Sequence, residues 1–229
     1  MSTNDIDNPY FTRLKNMEKS KKWLLDQQAT RVVDALNKNA FTAKYVDNIQ
    51  TVCDEILALI PENANVGVGG SMTMRQIGIL DKLKKRGNEI FDHWQPDLSP
   101  EQVLQIRKSH LTCDVFLTST NAVTLDGVLV NIDGAGNRAA SMMFGPGKAI
   151  VVAGINKITN DVTSAIKRIK EIATPLVVKD LGIDLPCATT GFCVECNSIM
   201  RACRATVILE RKPFFSDINV FLVGENLGF

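Results

Sequence analysis

"NANVGVGGSMTMRQIGILDKLKKRG" (63–87) reads as a strand that runs into paired glycines and then into a helix ending at Gly87. A strand, a glycine turn and a helix in that order form one step of a parallel α/β sheet. The flanking sequence repeats the step. Upstream, "AFTAKYV" (40–46) suits a short strand, and "DNIQTVCDEILALI" (47–60) puts Ile49, Val52, Cys53, Ile56, Leu57 and Ile60 on one face of a helix. Downstream, "NEIFDHW" is a strand, and "SPEQVLQIRKSH" opens with Ser99 as N-cap, Pro100 at the first helical position and Gln102 at the capping-box position. "CDVFLTST" and "GVLVNIDG" are strands joined through "NAVTLDG", and "NRAASMMFG" is a short helix. "KAIVVAGI" is a strand, "NDVTSAIKRIKEI" a helix, and "ATVILER" and "INVFLVG" close the chain as β segments. This alternation predicts an α/β fold: a mostly parallel sheet with helices on both faces.

The glycines themselves carry chemistry. Open α/β sheets bind ligands beyond the carboxyl ends of their strands. Gly67, Gly69 and Gly70 allow tight turns and close approach, and Ser71 and Thr73 can cap the helix that follows. Free N–H groups at a helix start favour an anion such as phosphate or carboxylate, and Arg75, one turn in, can add a charge-assisted bond. The same loop also suits a plain turn that uses glycine for packing, and both readings stay open here. It is not G-x-G-x-x-G, because Met72 stands where the third glycine would be, and it lacks the G-K-S/T of a Walker loop.

Bulk numbers narrow the class. The chain has 229 residues, 45% hydrophobic and 22% charged, which is ordinary for a globular protein with a substantial core. A net charge of +1 argues against a dedicated nucleic-acid surface. The longest apolar run, "AIVVAGI" (149–155), is far too short to span a bilayer. "MSTNDIDNPYF" lacks a basic stretch followed by an apolar one, so no secretory signal is read and the cytoplasm is expected. The first residues read as a helical arm, 1–38, with Phe11, Leu14 and Met17, then Leu25, Ala29, Val32, Val33 and Leu36 at helical spacing. The domain proper is expected over 39–229, and the arm's apolar stripe predicts a homodimer.

A second candidate wall is "TSTNAVTLDGVLVNIDGAGNR" (118–138). Its polar residues, among them Asn121, Asp126, Asn131, Asp133, Gly134 and Asn137, gather at strand ends, although Asp126-Gly127 is also a hairpin signal. Asp133 and Asp126 are candidate acid–base groups. His93 in "FDHW" is a candidate proton carrier or a satisfied, half-buried histidine, and His110 near a helix end suits a dipole partner.

"VGVGGSMTMRQIG", "EIFDHW", "DVFLTSTNAVTLDGVLVNIDGAGNR" and "INVFLVGENLGF" together resemble the LUD-domain (lactate-utilisation) family over about residues 10 to 229. The resemblance implies a fold like ribose-5-phosphate isomerase, glucosamine-6-phosphate deaminase and CoA transferases, with the Gly69–Thr73 loop and the turns at Asn121 and Asp133 bordering the site. It also implies a role in oxidation of lactate or a related organic acid, beside iron–sulfur and flavin-type partner subunits. The departures are specific. "STNAV" has no carboxylate where CoA transferases of this fold carry a nucleophilic glutamate, and "GAGNRAASMMFGPG" offers Asn137 and Arg138 in place of the isomerases' lysine-glycine loop. What transfers is a pocket for a small anionic or phosphorylated ligand. A standalone enzyme on a phosphorylated sugar or acyl-CoA, and a ligand-sensing module without chemistry, remain the competing classes.

"CATTGFCVECNSIMRAC" (187–203) holds four of the six cysteines, spaced C-x5-C-x2-C-x6-C. Cys187, Cys193, Cys196 and Cys203 can fold around one Zn²⁺ or a [4Fe–4S] cluster. They can also be reduced structural thiols, or Cys193 and Cys196 a redox pair. The spacing fits neither a bacterial ferredoxin run nor a two-knuckle zinc ribbon. The resemblance favours a site, because family members carry a similar TG-C-x-x-C segment. Cys53 and Cys113 lie in apolar surroundings and are expected in the core.

Overall fold

The computed structural model describes residues 9–229. The elements run α1 (Pro9–Lys38), β1 (Thr42–Val46), α2 (Ile49–Leu59), β2 (Val66–Val68), α3 (Met72–Gln76), α4 (Ile79–Arg86), β3 (Ile90–Asp92) and α5 (Pro100–Ser109). They continue with β4 (Val115–Ser119), β5 (Ala122–Thr124), β6 (Leu129–Asp133), α6 (Asn137–Met143), β7 (Lys148–Gly154), β8 (Ile158–Thr159) and α7 (Val162–Arg168). After a π segment (Ile169–Ala173) come α8 (Thr174–Asp180), α9 (Pro186–Thr190), β9 (Ala205–Leu209) and β10 (Ile218–Val223).

Six strands form the main sheet in the order β1-β10-β7-β4-β2-β3, every neighbouring pair parallel. Alternation within each strand divides the core. Ile150 and Val152 of β7 and Phe221 and Val223 of β10 pack beneath α2, α3 and α4. Ala149, Val151, Val220 and Leu222 face the opposite layer with Val32 and Leu36 of α1. That second layer contains an element the sequence pattern did not reveal, a small mixed sheet in the order β8-β5-β6-β9. Its strands β5 and β8 have three and two residues, too short to show a period. Beyond it, Ala165 and Ile169 seal Ala122, Val130 and Ile132 in a third cluster.

Several local expectations hold to the residue. Ser99 and Gln102 close the capping box of α5, Ser71 caps α3 and Gly87 ends α4. The helix expected after the glycines is instead two helices. Gly78, at φ +68°, breaks it, so α3 has five residues and only α4 continues to Gly87. The helix expected to stop near Ile172 continues through Pro175 as α8. A proline lacks the N–H and crowds the carbonyl four residues back, and the wider π turn at Ile169–Ala173 accommodates it.

The arm is less separate than its spacing suggests. Ala29, Val32 and Leu36 are in the core, whereas Leu14, Met17, Trp23 and Leu24 are exposed. The Phe11 side chain, expected in the same stripe, lies outside the described residues. Among the described residues, no helix is long and apolar enough to cross a membrane.

Candidate functional site

The carboxyl ends of the parallel strands open into a cleft of about 490 Å³. Gly70, Ser71 and Thr73 enter it after β2, His93 and Trp94 after β3, Ser119 and Asn121 after β4. Asp133, Gly134, Asn137 and Arg138 come from β6 and the start of α6, and Lys157 from the turn after β7. Polar side chains make up much of the lining, and apolar side chains of α8 and its surroundings, among them Val177, Leu181, Ile183 and Met200, line it as well.

Charge distinguishes this cleft from the nearly neutral whole. Arg107, Arg138, Lys157, Arg201 and Arg204 line it against a single acidic side chain among the described residues, Asp133. That carboxylate is committed. One oxygen accepts from Arg138 at 2.5 Å and the other from the Ala139 N–H at 2.8 Å, so Asp133 anchors the start of α6 and offers no free oxygen. Arg138 is saturated in turn, donating to Asn131 (2.6 Å), Asn121 (2.7 Å) and the Ser119 and Ile132 carbonyls. Asn131 is fully buried, so it holds Arg138 from behind rather than touching a ligand.

Lys157 is the residue the sequence pattern missed. It is 3% exposed, donates to Ser119 Oγ at 2.8 Å and Thr73 Oγ1 at 3.1 Å, and among the described residues has no carboxylate partner. Burial, reinforced by the Arg168 and Arg138 cations, brings its pKa down to about 7. A lone lysine just past an apolar strand of a parallel sheet was the available signal.

His93 does reach the cleft. Its Nδ1 is buried without a partner, and so is Nε of Arg107. Two unpaired polar atoms beside an open cleft suit a bound ligand or water. Burial first, then the Arg107 and His110 charges, lower the His93 pKa to about 4, so the ring is neutral. His110 is also lowered by burial and bonds the Phe91 carbonyl at 3.0 Å. A neutral, buried ring cannot serve as the charged dipole partner expected from its place after α5.

The glycine loop divides. Gly70, Ser71 and Thr73 line the cleft, but a side chain on Gly67 would meet Cys113 Sγ at 2.9 Å, and Gly69 backs onto Thr118 and Phe116. Those two glycines serve packing within the sheet. Arg75 does not turn toward the loop. It forms a bidentate pair with Asp92 at 2.7 and 2.8 Å and lies 5.3 Å from the Trp94 ring centre. Burial alone would raise the Asp92 carboxyl, but Arg75 and the Trp94 N–H hold it below the usual carboxylate range. Asp126, the other candidate acid–base group, sits in the β5–β6 turn, pairs with Arg31 of α1 at 2.9 Å and is away from the cleft.

The four clustered cysteines are free thiols that line one small second cavity, with Lys170, Glu195 and Arg201. Arg201 fastens the loop, donating to the Cys196 and Cys203 carbonyls at 2.8 Å and to Glu195. Burial raises the Cys187 thiol, and the charges of Cys203, Cys196 and Cys193 add to this, which places all four near each other. Among the described residues, no group of three or more His, Cys, Asp or Glu side chains closes tightly enough to hold a metal ion. Cys53 and Cys113 are buried, as expected.

Comparison with known proteins follows the same outline. The LUD domain family model matches residues 29–223. Among solved structures, the crystal structure of a DUF162 family protein from Deinococcus radiodurans aligns with a TM-score of 0.52 at 14% identity, covering 87% of this chain and 98% of that one. At that identity the likeness speaks for the fold alone. No curated protein matches the chain.

Proposed function

The chain belongs to the LUD domain family, and from that premise we propose that it serves in utilisation of lactate or a related organic acid, binding an anionic ligand in the cleft. The carrying observation is the set of five cationic side chains against one committed carboxylate. An anion there meets a positive field and gains a charge-assisted bond from half-buried Arg107, whose Nε has no partner among the described residues. The test is thermal unfolding with lactate, pyruvate, phosphate and sulfate. At least one should raise the melting temperature of the wild-type protein, and Arg107→Ala should reduce the rise. No response to any of the four anions would remove the proposal.

A second proposal concerns the thiol cavity. Four free cysteines converge with Lys170 and Arg201, cations that would offset the negative charge of bound thiolates. A [4Fe–4S] cluster spaces its thiolates more widely than a single Zn²⁺ does, so four thiols around a cavity, with no three closed on a point, suit the cluster better than the ion. Cys187, Cys193, Cys196 and Cys203 would hold it, and a bound cluster supplies one-electron transfer. Phe192, Val194, Ile199 and Met200 beside these cysteines are exposed, an apolar face for an iron–sulfur or flavin partner subunit. Anaerobic purification followed by iron analysis and a visible spectrum decides the matter: iron with colour supports the cluster, zinc without colour replaces it with a structural site, and no metal removes both. The exposed residues of α1 support a homodimer in the same way.

A further inference from the structure

Three features of the cleft remain unused by anion binding alone. The first is Lys157 itself. A buried cation ordinarily has a carboxylate partner, but Lys157 has two hydroxyls and the repulsion of Arg138 and Arg168. The second is the apolar wall of Val177, Leu181, Ile183 and Met200. The third is size, since about 490 Å³ is room for a drug-sized ligand and a three-carbon acid leaves most of it empty.

We propose that Lys157 is a nucleophile that forms an imine with the carbonyl carbon of a 2-oxo acid bearing an apolar side chain. This rests on the anion-binding proposal and names the substrate class of the same cleft. Each part of such a molecule meets a matching wall. Its carboxylate answers the cationic lining, its carbonyl the amine, and its side chain the apolar lining. A lysine desolvated beside other cations is a recurring way to obtain a neutral amine at neutral pH. With its pKa near 7, a large share of Lys157 is unprotonated there.

The step balances without an added oxidant or reductant. The Nζ lone pair forms a C–N bond to the carbonyl carbon as the C=O π bond breaks, and one Nζ proton passes to the carbonyl oxygen to give a neutral carbinolamine. The second Nζ proton then passes to that hydroxyl, the C–O bond breaks with loss of water, and the C=N bond closes. Ser119 Oγ, 2.8 Å from Nζ, and Thr73 Oγ1, 3.1 Å away, lie in position to relay those protons. The resulting imine is a Lys157 adduct that reverses on hydrolysis.

Reductive trapping tests this. The full chain is incubated with pyruvate or with phenylpyruvate and sodium cyanoborohydride at neutral pH, then analysed by intact mass and peptide mapping. One reduced adduct is expected, on the peptide containing Lys157, forming several-fold faster with phenylpyruvate. It should be absent from Lys157→Met and Lys157→Arg, whose circular dichroism and melting report whether they are folded. Adducts scattered over exposed lysines with Lys157 unmodified would overturn the proposal. The same two acids are also tested by thermal shift. A shift with no Lys157 adduct overturns the imine and leaves anion binding standing, whereas neither shift nor adduct removes 2-oxo acids from the cleft altogether. If Lys157→Met does not fold, the mapped wild-type adduct still decides the outcome.

Discussion

Lys157 and His93 titrate in windows set by their surroundings, and each window has a sign. A lysine whose pKa falls from 10.5 to about 7 on folding binds its proton more weakly in the native state. Its burial cost is therefore full below pH 7 and is relieved as pH rises from 7 towards 10.5. The melting temperature of Lys157→Met should exceed wild type by most near pH 6.5, and the gap should shrink by pH 10. A constant gap would show that the native amine does not lose its proton in that window. His93 shifts from 6.5 to about 4, so native stability is lost as pH falls through that interval, with His110 acting in the same direction. His93 faces Arg107, His110, Asp92 and Arg75, and only its own protonation is removed by His93→Gln. That variant should flatten the acid side of the profile of unfolding free energy against pH, by about 3–4 kcal/mol at most. Residue identity made His93, Ser71, Thr73, Asn121 and Asn137 legible as candidates. It could not show that Arg75 is held by Asp92, or Asp133 by Arg138, because those pairings depend on how α3 sits beside β3 and how the turn from β6 into α6 orients its side chains.

At the scale of elements, α1 illustrates what helical spacing conveys. Its stripe continues from Leu14 to Leu36, but burial changes along it, since Ala29, Val32 and Leu36 enter the core and Leu14 and Met17 do not. Spacing shows that a face is apolar, not what covers it. Deleting residues 1–38 should remove about 1.5–3 kcal/mol for each of Val32 and Leu36 and so unfold or severely weaken the domain. Deleting 1–24 leaves those contacts and removes Leu14, Met17, Trp23 and Leu24. Light scattering should then show a dimer for the full chain and a monomer for the shorter deletion. Equal masses per particle, allowing for the residues removed, would show that this stretch does not mediate assembly. The parallel strands were legible because continuous apolar runs between helices leave few alternatives. β5 and β8 were not, being shorter than any period, and α8 was hidden behind Pro175.

For the whole molecule, a net charge of +1 conceals a cationic cleft, where among the described residues Asp133 is the one acidic side chain in a lining with five cations. A sequence sum carries no address, and the cleft emerges only when the ends of several strands meet. The cysteine loop adds a connection of a different kind. Thr174, Arg201 and Ala202 line both the cleft and the thiol cavity, so they form one partition with a face in each. Two compartments that share a partition are coupled when the partition moves with either occupant. If a cleft ligand fixes the partition in one position, it changes the free energy of whatever the thiols hold, and by reciprocity the thiols change the ligand's affinity by the same factor. A saturating anion found by thermal shift should thus slow alkylation of Cys203 by iodoacetamide relative to buffer alone. An unchanged rate would mean that the partition is already rigid. If the rate does fall, the state of four sulfur atoms and the occupancy of a carboxylate pocket are one variable read from two sides.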